Sequence, residues 1–275
     1  MTNIIQPILI LGGIGLLFGA LLSIASKIFA VEIDQNVERI LNVLPGANCG
    51  ACGYPGCEGL AKALAEGKAE SNACVVGGQK VANDVAKALG ITASEFEKNV
   101  AVVLCQGDCD KAKDKYVYQG IEDCKAQNIL ADGKKECPYG CLGCGSCYDV
   151  CAFDAIAIIN GIAIIDREKC TACKKCIEVC PKHIIELVPY ESHAVVKCKS
   201  EDPGKAVRGY CSIGCIGCKI CVKNCPEDAF SFENNLAKIN YEKCTNCMTC
   251  VEKCPTKSIV DVTYDLIKEE NKIAG

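Results

Sequence analysis

Cys141-Leu142-Gly143-Cys144-Gly145-Ser146-Cys147-Tyr148-Asp149-Val150-Cys151 sets four thiols at the spacing C-x2-C-x2-C-x3-C, and the chain uses that spacing three more times. The further blocks run from Cys170 to Cys180, Cys215 to Cys225 and Cys244 to Cys254. Three of the four continue into proline, at Pro181, Pro226 and Pro255, while Ala152 stands in the remaining place. Intervals of two and three residues wrap the backbone around a common centre, and a proline then turns the chain away because it cannot continue a helix. A shift of 74 residues lays the first pair of blocks on the second. At that shift Cys124, Cys137, Cys141, Cys144, Cys147, Cys151, Cys170, Cys173, Cys176 and Cys180 fall on Cys198, Cys211, Cys215, Cys218, Cys221, Cys225, Cys244, Cys247, Cys250 and Cys254 without a gap. Self-similarity of this kind is a tandem duplication of one domain.

Cysteine also dominates the composition: 26 of 275 residues, about 9.5 %, the range of cysteine-organised scaffolds. Trp is absent and aromatics are 5 %, so the domains are small and held by something other than a large core. A net charge of −4 argues against the clustered cationic surface that nucleic acid requires, and no nucleic-acid partner is expected. With two histidines, His183 and His193, any repeated metal site is thiolate-rich: zinc held by four thiolates or iron–sulfur centres, with disulfides as the third possibility. Neither a P-loop nor a dinucleotide fingerprint occurs, since Gly13, Gly15 and Gly19 miss the G-x-G-x-x-G spacing and lie in an apolar run. No catalytic side chains are expected, and the chemistry is one-electron transfer rather than hydride transfer.

Ile4 to Ser26 carries no charge over 23 residues, roughly 35 Å of helix, enough to cross a bilayer core of about 30 Å. A cleaved signal peptide competes with this reading, but no basic residue precedes the run and no small-x-small site stands before Lys27. Lys27 and Arg39 follow it, which places the large C-terminal part in the cytoplasm, where thiols stay reduced and ligate metals. Gly15, Gly19 and Ser23 lie four apart, a spacing that lets another membrane helix approach.

Beyond the anchor, Ile33, Val37, Ile40, Leu41 and Leu44 predict an amphipathic helix over 31–44 that stops at Pro45. Ala-rich stretches predict helices from Cys57 to Ala69 and from Gln79 to Phe96. Ala155 to Ile159 and Ile162 to Asp166 flank Asn160-Gly161, a two-residue hairpin turn. Phe230 to Glu233 and Leu236 to Asn240 flank Asn234-Asn235 in the second copy. The fold class is α+β: a transmembrane anchor (1–30), a juxtamembrane helix with a small helical 4Fe-4S domain (31–100), an extra cysteine region with a first ferredoxin-like domain (101–190), a second ferredoxin-like domain (191–262) and a charged tail (263–275).

The block spacing is that of bacterial ferredoxins, where three close thiolates hold one cubane and the fourth crosses to its neighbour. Cys141, Cys144, Cys147 and Cys180 then form one set and Cys170, Cys173, Cys176 and Cys151 its partner. Cys215, Cys218, Cys221 and Cys254, with Cys244, Cys247, Cys250 and Cys225, repeat the arrangement. Cys49, Cys52, Cys57 and Cys74, set among Gly46, Gly50, Gly53 and Gly56, supply a fifth four-thiolate site, for which zinc is the alternative. Cys105, Cys109, Cys124 and Cys137 are expected to hold a sixth, leaving Cys198 and Cys211 as a two-thiol remnant or buried apolar side chains. Six [4Fe-4S] clusters are expected, with these cysteines as the iron ligands.

The order of membrane helix, glycine-rich C-x2-C-x4-C-x16-C module and tandem ferredoxin repeats resembles the RnfB family, the B subunits of the Rnf ion-translocating ferredoxin:NAD+ oxidoreductase complexes, over essentially the whole chain. Two repeats plus the Cys105 region look like the family's long, clostridial-type form. The resemblance implies a single-pass protein at the bacterial cell membrane, with reduced ferredoxin and other Rnf subunits, some membrane-embedded, as partners. It implies electron transfer toward NAD+, which a different flavin-containing subunit reduces, coupled to export of Na+ or H+. A polyferredoxin subunit of a membrane hydrogenase, dehydrogenase or redox-sensor-reducing complex is the alternative of the same chemistry, and a zinc scaffold the non-redox one.

Overall fold

Thr2–Ile28 forms one continuous helix, α1, in the computed structural model, which describes residues 2–28 and 34–263. Leu9–Lys27 is long and apolar enough to cross a membrane, and none of it is covered by the rest of the chain: Leu11, Leu16 and Leu22 are 70–79 % exposed. A helix apolar on every side needs apolar surroundings. The charged tail from Tyr264 to Gly275 lies outside the described residues.

Three helices follow, α2 (Gln35–Val43), α3 (Gly56–Ala65) and α4 (Gly78–Leu89). Asp34 starts α2 by accepting the Asn36 N–H, and the helix closes just before Pro45. Ile40, Leu60, Leu64 and Val85, all buried, form their shared core. The last helix ends seven residues short of Phe96, where the Ala-rich pattern placed its end. Gly90 takes the left-handed conformation (φ 70°) that caps helix C-termini.

The first ferredoxin-like unit runs β1 (Asn99–Val103), α5 (Cys124–Ile129), α6 (Ser146–Asp149), β2 (Ile156–Ile159), β3 (Ile162–Ile165), α7 (Lys175–Val179) and β4 (Ile185–Pro189). The second runs β5 (Ala194–Val196), α8 (Gly204–Tyr210), α9 (Ile220–Asn224), β6 (Phe230–Glu233), β7 (Leu236–Ile239), α10 (Thr249–Lys253) and β8 (Ile259–Asp261). In each unit the outer strands pair antiparallel, Val103 with Ile185 and Val196 with Ile259, around a hairpin, β2–β3 or β6–β7. Both hairpins turn where expected, on Asn160-Gly161 and Asn234-Asn235, all four residues having positive φ. The hairpins and α7/α10 coincide at the 74-residue shift.

The repeat breaks ahead of the first cysteine block. Val103 ends β1 and Val196 ends β5, yet Cys141 comes 38 residues after the former and Cys215 only 19 after the latter. The first unit therefore carries an insertion between its opening strand and its first block. Cys105 and Cys198 each follow their strand by two residues, and their sulfurs accept equivalent hydrogen bonds, from the Cys141 N–H at 3.4 Å and the Cys215 N–H at 3.3 Å. Cys105, not Cys124, stands in the place of Cys198, which corrects the gapless alignment of that part of the repeat.

β1 explains how the units meet. Ala101 and Val103 face the first core with Cys141, Cys147, Cys176, Ile156 and Ile185. Val100 and Val102 face the other way, packing with Val188 and with Val195 of the second unit. Alternation along the strand thus feeds two cores, and the four-residue apolar run Val100–Val103 is buried on both faces.

Gly143 marks where the first block presses on the hairpin. Its φ is +77°, and an added Cβ would stand 2.4 Å from the Gly161 carbonyl oxygen. Gly143→Ala combines a left-handed penalty with overpacking against rigid backbone, about 2–4 kcal/mol together. The expected readout is earlier loss of cluster absorbance in a guanidinium titration, with Gly209→Ala, whose Cβ would meet nothing within 4 Å, unchanged.

Candidate iron–sulfur sites

All four blocks share one backbone conformation. Residues two, four and thirteen places after the first cysteine have positive φ, between +48° and +86°. These are Gly143, Gly145 and Asp154; Ala172, Lys174 and His183; Gly217, Lys219 and Asp228; Asn246, Met248 and Lys257. Left-handed residues interleaved with right-handed ones turn successive N–H groups toward one side, forming the anion-binding nests found at Fe–S sites. Gly145, Lys174, Lys219 and Met248 are also the N-caps of α6, α7, α9 and α10. Each of those short helices carries the third cysteine of its block inward, so Cys147, Cys176, Cys221 and Cys250 are all buried.

In the second unit the fourth cysteine of each block is found with its neighbour's three. One cavity is lined by Cys215, Cys218, Cys221 and Cys254, another by Cys225, Cys244, Cys247 and Cys250. In the first unit Cys141, Cys147 and Cys180 line one cavity, and the Cys170, Cys173 and Cys151 thiols act electrostatically on Cys176. Burial pushes the Cys147, Cys176 and Cys221 thiols up to about 12 and Cys141 and Cys250 to about 11. Thiols so placed ionise when a cationic centre compensates them, so metal loading is coupled to proton release. Among the described residues no three His, Cys, Asp or Glu side chains converge as one bound ion would require; the sulfurs ring cavities instead.

In the helical module Cys57 sits in the first turn of α3, its N–H bonded to Asn48 Oδ1 at 2.8 Å. Gly56 makes that contact possible: its φ is +76° and a Cβ would come within 2.9 Å of the same oxygen. Cys52, Cys57 and Cys74 pack on the margin of the helical core, and Cys49 is half-buried on the adjoining loop. Burial raises Cys74, and the Cys57 and Cys52 thiols add to the effect. The four residues have the donor set of a cubane or of tetrathiolate zinc.

The six remaining cysteines are distributed otherwise than the expected sixth set. Cys109 is exposed, its N–H bonded to the Asn160 carbonyl. Cys124 joins the cavity of Cys141, Cys147 and Cys180, with its N–H on Ser146 Oγ at 2.8 Å. A hydrogen bond between the Cys124 and Cys144 thiols lowers the former and raises the latter. Cys105 and Cys137 are brought together, but with Cys198 and Cys211, around one cavity. No spacing rule points to that grouping, because it depends on an insertion meeting a neighbouring repeat.

A family profile for an Fe-S cluster matches residues 44–76, and profiles for 4Fe-4S dicluster domains match 140–184 and 210–255. The chain is 48 % identical over 245 residues to the B subunit of the Na(+)-translocating ferredoxin:NAD(+) oxidoreductase complex of Acetobacterium woodii, covering 89 % of this chain and 74 % of that one. It is 40 % identical to the B subunit of the ion-translocating oxidoreductase complex of Methanosarcina acetivorans, covering 88 % and 92 %. With the B subunit of the proton-translocating ferredoxin:NAD(+) oxidoreductase complex of Clostridium ljungdahlii it shares 44 % identity over 90 % and 87 % of the two chains.

Proposed function

The chain belongs to the family of B subunits of Rnf-type ion-translocating oxidoreductase complexes, and on that footing we propose that it accepts electrons from reduced ferredoxin and relays them toward membrane subunits and ultimately NAD+, coupled to Na+ or H+ export. Its ferredoxin-like dicluster domains suit it to electron transfer. The observation that carries the proposal is the order on one chain: a membrane-length helix, a four-thiol module, then two dicluster units, in the second of which Cys254 and Cys225 line cavities with the other block's three cysteines.

In this reading the ligands are Cys141, Cys144, Cys147 and Cys180; Cys151, Cys170, Cys173 and Cys176; Cys215, Cys218, Cys221 and Cys254; Cys225, Cys244, Cys247 and Cys250; and Cys49, Cys52, Cys57 and Cys74. When bound, [4Fe-4S] clusters supply one-electron carriers whose potentials follow hydrogen bonding and exposure. The chain's own work is to fix them in order, to aim nests of N–H groups at their sulfides and to hold the array at the bilayer. Reduced ferredoxin docks on the second ferredoxin-like unit, and the Cys49 module delivers to a membrane-embedded partner. Lys27 and Arg39 favour the cytoplasmic side for the soluble part. This chain has no hydride step; NAD+ is reduced elsewhere in the complex.

The test is stopped-flow mixing of the anaerobically purified full-length chain, in detergent, with reduced ferredoxin. Bleaching of most of the cluster absorbance within seconds is expected. Bleaching by dithionite but not by ferredoxin would overturn the proposed donor, and zinc in place of iron would overturn electron transfer itself. Deleting residues 1–30 should leave the bleaching unchanged and release the protein from membranes.

A further inference from the structure

We propose that Cys105, Cys137, Cys198 and Cys211 hold a [4Fe-4S] cluster at the joint between the two ferredoxin-like units, a site that neither unit could build alone. The choice of cofactor rests on the electron-relay reading above; the site itself rests on geometry. All four cysteines line one cavity, of about 30 Å³, against about 20 Å³ for each cavity at the ferredoxin blocks. Glycines press close to the sulfurs. A Cβ on Gly107 would lie 3.6 Å from Cys211 Sγ and 3.7 Å from Cys105 Sγ, and one on Gly214 would lie 3.6 Å from Cys211 Sγ.

The insertion in the first unit is what assembles the site. Ala112 pairs as an isolated bridge with Cys211, flanked by Lys113 N–H to the Tyr210 carbonyl at 2.8 Å and Ser212 N–H to the Lys111 carbonyl at 3.0 Å. That short ladder clamps Cys211 beside Cys105, while Cys137 comes from the far end of the same insertion. Cys105 and Cys198 hold equivalent places after β1 and β5. The four ligands are thus two structurally matched thiols plus one from each side of the joint.

Lys135 is the independent sign of an anion here. It is 1 % exposed and lines the cavity; its ammonium donates to the carbonyls of Gly107 and Gly161. Among the described residues no carboxylate forms an ion pair with it. A buried cation without a counter-ion is costly, because its hydration is lost and no opposite charge offsets it. Four thiolates around a cubane of charge 2+ leave net negative charge at that place, which four neutral thiols would not. Transfer of a preformed [4Fe-4S]2+ cluster from a thiolate carrier forms four Fe–S(Cys) bonds here, breaks the four bonds to the carrier's thiolates and passes the four thiol protons to those thiolates, without oxidation or reduction.

The position also gives the site a role. Cys105 Sγ accepts the N–H of Cys141, and Cys198 Sγ accepts that of Cys215, and these two donors are the leading cysteines of the first block in each unit. A cluster at the joint therefore touches the ligand loops on both sides, beside the Ala112–Cys211 bridge and the aliphatic contact of Val100, Val102 and Val195 that also join the units.

The test uses the full-length chain, purified anaerobically in detergent, with iron, acid-labile sulfide and zinc counted per chain. About 24 irons are expected for the unaltered chain, about 20 for Cys198→Ser and for Cys211→Ser, and about 24 for Cys109→Ser, at four irons per cluster. The proposal is overturned by about 20 irons in the unaltered chain, by a zinc in place of the missing four irons, or by loss in the Cys109 variant with none at Cys198 and Cys211. Should the serine variants shed more than four irons, Lys135→Gln decides: all 24 irons retained and one EPR-monitored midpoint moved to lower potential support the site, and unmoved midpoints overturn it. Ferredoxin-driven bleaching intact at about 20 irons would sink this site while leaving the proposed function standing.

Discussion

Anaerobic chelation of iron from the full-length chain is expected to unfold both ferredoxin-like units while leaving the helical module folded. The contrast lies in what each core is made of. Around Cys141, Cys147 and Cys176 the first core has chiefly Ala101, Val103, Ile156, Ile162 and Ile185, and the second substitutes Cys215, Cys221 and Cys250 among Ala194, Leu236 and Ile259. The strands are three to five residues long and each sheet has two strands, which is marginal in water without support. Buried thiols at the centre need a metal to compensate them, so binding free energy is folding free energy there, on the order of 10 kcal/mol for a structural site. In the module, Val37, Ile40, Leu60, Leu64 and Val85 form an aliphatic core to which the cysteines are marginal. Hydrogen exchange followed by mass spectrometry should show protection in 99–262 falling by two orders of magnitude or more after chelation, while 35–43, 56–65 and 78–89 stay protected. Retained protection at β1 and β4 would show that the aliphatic face of Val100, Val102 and Val188 holds the first unit without metal.

What was legible in the sequence were the features with local causes. Cysteine spacing, Asn-Gly and Asn-Asn turns, the apolar run of α1 and the helical periodicity ending at Pro45 each depend on a few adjacent residues, and each recurs in the structure. The spacing rule also carries an expectation that the fourth cysteine crosses, and the cavities of the second unit agree with it. What resisted reading was non-local. β1 reads as an isolated apolar run at Asn99–Val103, and nothing nearby says that it pairs with β4, 86 residues on, to open the first unit. That pairing moves the start of the unit ahead of Cys105, exposes the insertion, and breaks the match between Cys124 and Cys198. The grouping of Cys105 with Cys211 depends in turn on one antiparallel bridge between different repeats, made of two backbone hydrogen bonds. Lys135 gave no signal at all: in a lysine-rich loop it looks solvated, and only the fold buries it.

Replacing Cys49 and Cys52 together by serine is expected to reduce electron delivery from ferredoxin to the membrane subunits at least 100-fold while most of the ferredoxin-driven bleaching survives. The reasoning is geometric. Helix α1 ends at Ile28 and α2 begins at Gln35, so at most about 3.4 Å per residue over seven steps, roughly 24 Å, separates the bilayer anchor from the helical module. No other cysteine precedes Cys105, so the Cys49 set is the thiol group nearest the anchor along the chain. Cys49 lies on a loop outside the helical core, with Cys52 at its margin, whereas Cys57 sits within α3; the double variant therefore removes ligands without removing the core of Ile40, Leu60 and Val85. The distal units share no ligand with this set, so ferredoxin should still bleach them. Two assays on one preparation read the result: stopped-flow bleaching by ferredoxin, and ferredoxin-dependent NAD+ reduction by membranes carrying the variant. Loss of both with iron retained in the distal units would mean that ferredoxin delivers to the Cys49 module first, which reverses the assigned direction. Retention of both would mean that electrons leave the chain from a ferredoxin-like unit, and the short tether after α1 would then serve to anchor the array rather than to deliver from it.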